Sequence, residues 1–431
     1  MTDLAPTPGP TGPDATDLDL TDLDLTDLDL FAAGFPDETF ARLRAHAPVW
    51  WHEPTVHTPD GTGFWVVSRH ADVLEVVADP ATFSSEGAPG AAGGGTLIQD
   101  LPFGFAAGVL LNMSDDPHHQ RVRRLVTPAV APRALAAMEG DLRARSGAIL
   151  DAMPTGEVAD FLVGVAVELP LQATAILLGV PEEDRHDLMA WSNATLDYEG
   201  RELGESSEAA QHAAQAMAAY GTALIEAKRR APGDDMLSAL VGAEVEGDDG
   251  EQAPLGELEL QMFFSLLIAA GSETTRNAIA LGVAALVEHP DQWARIDEDR
   301  SLLPSAVEEI LRWTSPTLYN RRTATRDGAI AGVPVRQGDK VTLWWASANN
   351  DERVFDQPRR FDVRRDPNPH VAFGYRTHFC LGANLARLEI RVMLEALLER
   401  FSSIELAGPI ERFRTNKHAG VRHMPVVLHP R

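Results

Sequence analysis

Cys380 is the single cysteine in 431 residues, and its neighbours decide what its thiol can do. A lone thiol forms no intrachain disulfide and no cysteine-rich zinc site. Glycines at 374 and 382 flank it, and after Gly382 the residues Leu385, Leu388, Val392 and Ala396 fall on one helical stripe. Cys380 is therefore expected where a loop enters a helix. Amides at a helix N-terminus favour negative charge, so the position stabilises thiolate over thiol. A thiolate held there is a nucleophile or a metal ligand; the plain alternative is a buried structural cysteine.

Three further stretches carry residues suited to chemistry. In AAGSETTRN the carboxylate of Glu273 adjoins the hydroxyl of Thr274, and Phe263, Leu267, Ala270 and Thr274 share one face at helical spacing. An ordinary helix in which the threonine caps a bend would carry the same residues. Glu309 and Arg312 are three apart, close enough to meet on a helix. On a surface such a pair is usually a solvated bridge. His119 and Arg123 are four apart and able to grip one carboxylate together.

The elements that must position these groups are mostly helical. One long helix is expected from about Glu257 to His289. Strands are expected at Phe64–Ser68, after the Gly61-Thr62-Gly63 turn, and at Val341–Trp345, after Gln337-Gly338. The glycine-rich stretch 86–96 and the polar stretch Tyr198–Ser207 look like mobile flaps. A mainly α single domain with small β-sheets fits this pattern better than alternating βαβ units.

Composition narrows the partners. Hydrophobic residues make up 44% of the chain, enough for a sizeable core, yet no apolar run approaches the ~18 residues of a membrane span. The opening MTDLAPTPGP has no secretory pattern, so a cytoplasmic protein is expected. A net charge of −27 argues against nucleic acid and against an anionic membrane surface. Residues 16–30 read TDLDL three times, a period matching neither helix nor strand. Residues 1–29 are expected to be a disordered acidic tail, followed by one catalytic domain over 30–431.

The segment FGYRTHFCLG closely resembles the cysteine-ligand loop of the cytochromes P450, with Phe373, Gly374, His378, Cys380 and Gly382 on matching positions. Arg376 stands where that family usually has a second glycine. AAGSETTRN resembles the family's oxygen-activation motif, and Ala269, Ala270 and Gly271 are small enough to let a flat macrocycle approach the backbone. The resemblance covers essentially all of residues 30–431. It implies a P450 fold with heme b between the long central helix and the Cys-loop helix, and Cys380 on the iron. It further implies that Thr274 bonds the iron-bound oxygen and that Glu273 relays protons. Propionates would be held by His119 with Arg123, by Arg322 and by His378. A structural ion pair would join Glu309 and Arg312 to a third member, Arg365, with Arg364 competing one residue away.

The implied reaction inserts one atom of O2 into a hydrophobic small molecule. The chain has no flavin or iron–sulfur segment, so electrons are expected from a ferredoxin with its reductase, serving a monomer. Candidate pocket walls are Leu97 to Leu111, the glycine-rich flap, Ala269, Ala270, Leu318 and His418. A sterol, methyl-branched lipid, terpenoid or polyketide fits them equally. A peroxide-driven peroxygenase and a non-catalytic haem protein are the rival classes; the acid–threonine pair argues against the first.

Overall fold

A computed structural model describes residues 20, 22–196, 207–246 and 250–431. The largest sheet has five strands in the order Val49–His52, Phe64–Val67, Lys340–Trp344, Tyr319–Ala324, Phe83–Ser84. Neighbours run antiparallel except Phe64–Val67 beside Lys340–Trp344, which are parallel. Both expected strands form, each ending one residue early. Side chains alternate along Tyr319–Ala324. Asn320 and Arg322 therefore face a cavity, while Arg321 turns the other way to bond the carbonyls of Leu97 and Ile98.

The long helix spans Glu257–Glu288, within one residue of expectation. From Thr275 to Leu286 every side chain is buried, so this half is a core helix wrapped on all sides. Leu303–Thr314 packs beside it, and Gly282 makes the close approach possible: a Cβ there would lie 2.6 Å from Ile310 Cγ2. Ala383–Arg400 completes the group, and one large apolar cluster joins all three helices.

Glu309 pins the chain between these helices and the cysteine loop. It is fully buried and accepts from Arg312 Nε and Nη2 at 2.8 Å each. Arg365 Nε at 3.0 Å, Asn368 Nδ2 at 3.2 Å and the Asp362 amide at 3.0 Å add to it. Arg312 Nη1 then donates to the carbonyls of Asn349 and Pro358. The third member is thus Arg365; Arg364 makes only a backbone bond, to Asp362.

The acidic repeat departs from expectation. Residues 1–19 and 21 lie outside the described residues, but order begins well before residue 30. Leu28–Phe31 forms a 3₁₀ turn capped by Asp27, and Leu25 and Phe31 are buried in a cluster with Phe40, Tyr319 and Trp344. The Leu25 amide donates to His52 Nε2 at 3.0 Å, and its carbonyl accepts from Asn416 Nδ2 at 2.9 Å. Composition suggested a solvated tail; the leucines between the aspartates are what bury it.

Of the two flaps, Tyr198–Ser207 lies outside the described residues except Ser207, which caps the helix Glu208–Arg230. In the glycine-rich stretch, Gly93–Gly94 pairs with Leu101–Pro102. Gly94 passes so close to the Glu86 carbonyl that no Cβ fits. Glycine serves close backbone packing there.

Candidate active site

A cavity of about 390 Å³ lies between the long helix, the strand Tyr319–Ala324 and the loop before Ala383–Arg400. Cys380 faces it from the loop-to-helix junction. Gly382 is the N-cap of Ala383–Arg400, and the Cys380 amide donates to the Phe373 carbonyl at 2.8 Å. Burial pushes the thiol's pKa up; the Gly382 amide, Arg123 and Arg387 pull toward thiolate. Arg387 lies over the Phe373 ring at 4.6 Å and pairs with Glu308 at 2.6 Å, which fixes this wall. Arg376 takes φ +58°, a left-handed conformation that glycine adopts without strain, and its guanidinium rests over the Tyr375 ring.

Four cationic or basic side chains gather at one edge. Arg322 is 6% exposed, and its one hydrogen bond goes to the Arg321 carbonyl. Burial brings its pKa down to about 10, with Asp115 the only opposing charge. His378 is pushed to about 2 by burial, Arg322, His119 and Arg123. The rings of His119 and His378 lie 4.2 Å apart, His119 is held by Asp116 at 3.3 Å, and Arg123 donates to the Phe379 carbonyl. No protein carboxylate stands within ion-pair distance of Arg322, Arg123 or His378 among the described residues. Buried positive groups without anions are costly, and a ligand bearing carboxylates satisfies them. A thiolate donor facing a flat apolar space, with carboxylate-seeking groups at its edge, fits an iron porphyrin with propionates.

Across the cavity Ala269, Ala270, Gly271, Glu273 and Thr274 line the long helix. Gly271 serves a purpose the sequence did not suggest: a Cβ there would strike Thr174 of the neighbouring helix Glu168–Leu177. Its smallness admits a helix, while the two alanines open toward the cavity. Thr274 Oγ1 donates to the Ala270 carbonyl at 2.9 Å in an unbroken helix. That bond uses the hydroxyl proton and leaves the oxygen lone pairs free. Glu273 is 7% exposed, and among the described residues its carboxylate has one ion-pair contact, His418 Nε2 at 3.9 Å.

Of the expected walls, Leu97, Ala269, Ala270 and His418 line the cavity. Leu111 and Leu318 do not. Leu111 is buried with Val122, Val126 and Phe263, and its neighbours Asn112 and Met113 face the cavity instead. Leu318, 2% exposed, packs with Phe40, Tyr319 and Trp344, leaving Thr317 and Asn320 at the wall. Each error is a slip of one or two residues in an irregular turn, where the direction of a side chain is set by what packs around it. Lys417 completes the ceiling. Its ammonium donates to Tyr319 O and Asn320 Oδ1 at 2.6 Å and to Thr96 O at 3.4 Å. Phe373 and Gly382 also line the site; His119 and Arg123 stand behind His378.

The family model described as Cytochrome P450 matches residues 184–423. "Putative cytochrome P450 126" of Mycobacterium tuberculosis is 48% identical over 92% of this chain and 95% of its own length. The "Methyl-branched lipid omega-hydroxylase" of Mycobacterium bovis is 38% identical over 90% of each chain. Among solved structures, Mycobacterium marinum cytochrome P450 CYP268A2 in complex with pseudoionone superposes with a TM-score of 0.84 at 32% identity, covering 96% of this chain and 100% of the other.

Proposed function

The chain belongs to the cytochrome P450 family of haem-iron oxidoreductases, and from that premise we propose a specific activity: a monooxygenase that uses heme b and O2 to hydroxylate a hydrophobic small molecule. The observation that carries this reading is the cavity itself, with Cys380 on one side, Thr274 and Glu273 on another, and unpaired basic groups at the edge.

When bound, the haem iron supplies the redox and oxygen-activating chemistry that side chains lack. The chain's own residues bind, orient and deliver protons. Cys380 would hold the iron through its sulfur. Arg322, His378 and the His119–Arg123 pair would hold the carboxylates of the cofactor, which would relieve the burial cost of the Arg322 charge. Thr274 offers its oxygen as an acceptor toward the cavity, and the neighbouring Glu273 relays protons into it. Leu97, Met113, Leu266 and the two alanines exclude water.

The substrate class is a methyl-branched lipid, terpenoid, steroid or polyketide. The apolar walls and the activity named for the Mycobacterium bovis relative support the branched apolar body. Asn112, Asn320 and His418 favour a polar end on that body. A ferredoxin with its reductase is the electron donor, a reading supported by the single cysteine, which leaves no cysteine set for an iron–sulfur cluster; the protein is read as a cytoplasmic monomer. No helix among the described residues is long and apolar enough to cross a membrane.

The test is spectroscopic. The reduced carbon monoxide complex of the purified protein is expected to absorb well to the red of a histidine-ligated haem, as thiolate ligation dictates. Cys380→Ala should abolish that band. A histidine-type spectrum in freshly purified wild type sinks the proposal. A screen of branched lipids, terpenoids and steroids for ligand-induced haem shifts then sorts the substrate classes.

A further inference from the structure

The proton-handling pair at 273 and 274 has a neighbour that the sequence placed only as a pocket wall. We infer that His418 is a positioning residue for Glu273, so that the acid working in this cavity is a carboxylate–imidazole unit rather than a lone carboxylate. The inference rests on the reading of Glu273 and Thr274 given above and deepens it.

Geometry favours His418 over Lys417 and Arg322. Its Nε2 is 3.9 Å from Glu273 Oε2, the one ion-pair contact of this buried carboxylate among the described residues. Lys417 is adjacent, but its three ammonium protons are committed to Thr96, Tyr319 and Asn320. Arg322 is directed along its own strand to the Arg321 carbonyl. His418 Nδ1 is buried without a well-formed hydrogen bond, and the Pro316 carbonyl is the backbone group that acts on the ring. A gap of 3.9 Å exceeds a hydrogen bond, and such catalytic contacts tighten when substrate closes the site.

The turn bearing His418 is built to hold the ring still. Thr317 and His418 form a β-bridge, the Ala419 amide donates to the Pro316 carbonyl, and the Leu318 amide donates to the Lys417 carbonyl. Glu273 comes from a helix, and His418 from a turn far along the chain. Their approach is a product of the fold and not of local sequence.

The electrostatics fix which form of the ring does this. Burial, Lys417 and Arg276 favour neutral imidazole, while Glu273 and the Pro316 carbonyl favour the cation. Burial dominates and the pKa falls below the usual histidine value. Near neutral pH a neutral ring therefore orients the carboxylate without locking it in an ion pair. Acidification charges the ring, pairs it with Glu273 and withdraws the carboxylate from Thr274. An imidazole carries a donor and an acceptor nitrogen, so a proton taken up on one is matched by a proton released from the other.

The experiment uses haem-loaded protein with ferredoxin, reductase and pseudoionone as the probe. It reads the share of NADPH electrons released as hydrogen peroxide, across pH 5.5 to 8. Glu273→Gln, His418→Phe, His418→Gln and the Glu273→Gln/His418→Phe double variant are compared with wild type. His418→Phe is expected to raise the peroxide share about as much as Glu273→Gln, several-fold, and to flatten the acid limb of the profile. The double variant should be no worse than either single one, since residues acting as a unit are non-additive. His418→Gln, which keeps an N–H for the carboxylate, should recover part of the coupling. Additive effects, or an unchanged peroxide share in His418→Phe while Glu273→Gln uncouples, overturn the inference. A silent Glu273→Gln instead removes the proton role of Glu273 itself, and the inference with it. A His418→Phe effect confined to the pseudoionone binding constant would make His418 a substrate contact only.

Discussion

Two buried clusters of charge in this molecule look alike in composition and differ in how they are satisfied. Around Glu309, every charged group has its partner: two arginines, an asparagine and a backbone amide converge on one carboxylate, and the spare arginine protons reach carbonyls. Around Arg322, basic groups gather with no carboxylate at ion-pair distance from Arg322, Arg123 or His378 among the described residues, and only His119 has one, Asp116. The first cluster is finished by the protein. On the function proposed above, the second is left for a ligand to finish. Buried charge is therefore informative mainly through what it lacks: a closed network reports architecture, and an open one reports a binding site.

The largest effect should come from breaking the closed cluster. Glu309→Ala leaves Arg312 and Arg365 buried without their counterion, and a loss of about 3–5 kcal/mol is expected. Urea unfolding of wild type and variant measures it. A loss below 1 kcal/mol would mean that the two clusters are not different in kind.

Arg322→Met should behave oppositely in two states of the same protein. In the haem-free state it removes an unsatisfied buried cation and should stabilise by about 1–3 kcal/mol. In the loaded state it removes a charge-assisted hydrogen bond, so haem should dissociate roughly 10–100-fold more readily, the equivalent of about 1.5–3 kcal/mol. Thermal melts with and without haem, and haem transfer to a scavenger protein, read both signs. Destabilisation in both states would refute the comparison.

Lys417 supplies a pH test of the same edge. Burial first, and then Arg322, depress its pKa from 10.5 to about 7. Between those values the unfolded chain holds a proton that the folded chain lacks, so stability from this group rises with pH from about 7 to 10.5. It is lost as pH falls through 7. The slope of unfolding free energy across that window should flatten in Lys417→Met. It should also weaken in Arg322→Met, which lifts the charge that depresses Lys417.

The smallest effect concerns the rim. Arg376 occupies a left-handed backbone position. Arg376→Gly should relieve roughly 1 kcal/mol of strain, partly offset by the greater entropy of unfolded glycine. A small rise in melting temperature with an unchanged haem spectrum is expected. A fall would show that stacking on Tyr375 outweighs the strain.

What could be read from sequence divides along a physical line. The cysteine junction, the long helix and the Glu309–Arg312 pair depend on spacing within one element, and the structure places them as expected. Choosing Arg365 over Arg364 needed a partner 56 positions away. Leu111 and Leu318 failed because the direction of a side chain in an irregular turn is set by what packs around it. The contact of Glu273 with His418 spans elements that no local pattern connects.

The clamp on Leu25 has one more consequence, for heredity rather than chemistry. It grips the tripeptide Asp24-Leu25-Thr26, through His52, Asn416 and a bond from the Thr26 amide to Asp24. Because TDLDL is repeated, the same tripeptide recurs at the junction of the preceding pair of copies, Asp19-Leu20-Thr21. Gain or loss of one five-residue unit would feed an identical tripeptide into the clamp and change only the length of chain ahead of it. Point changes at Leu25 would be felt in the fold, while whole-unit insertions upstream would pass unnoticed.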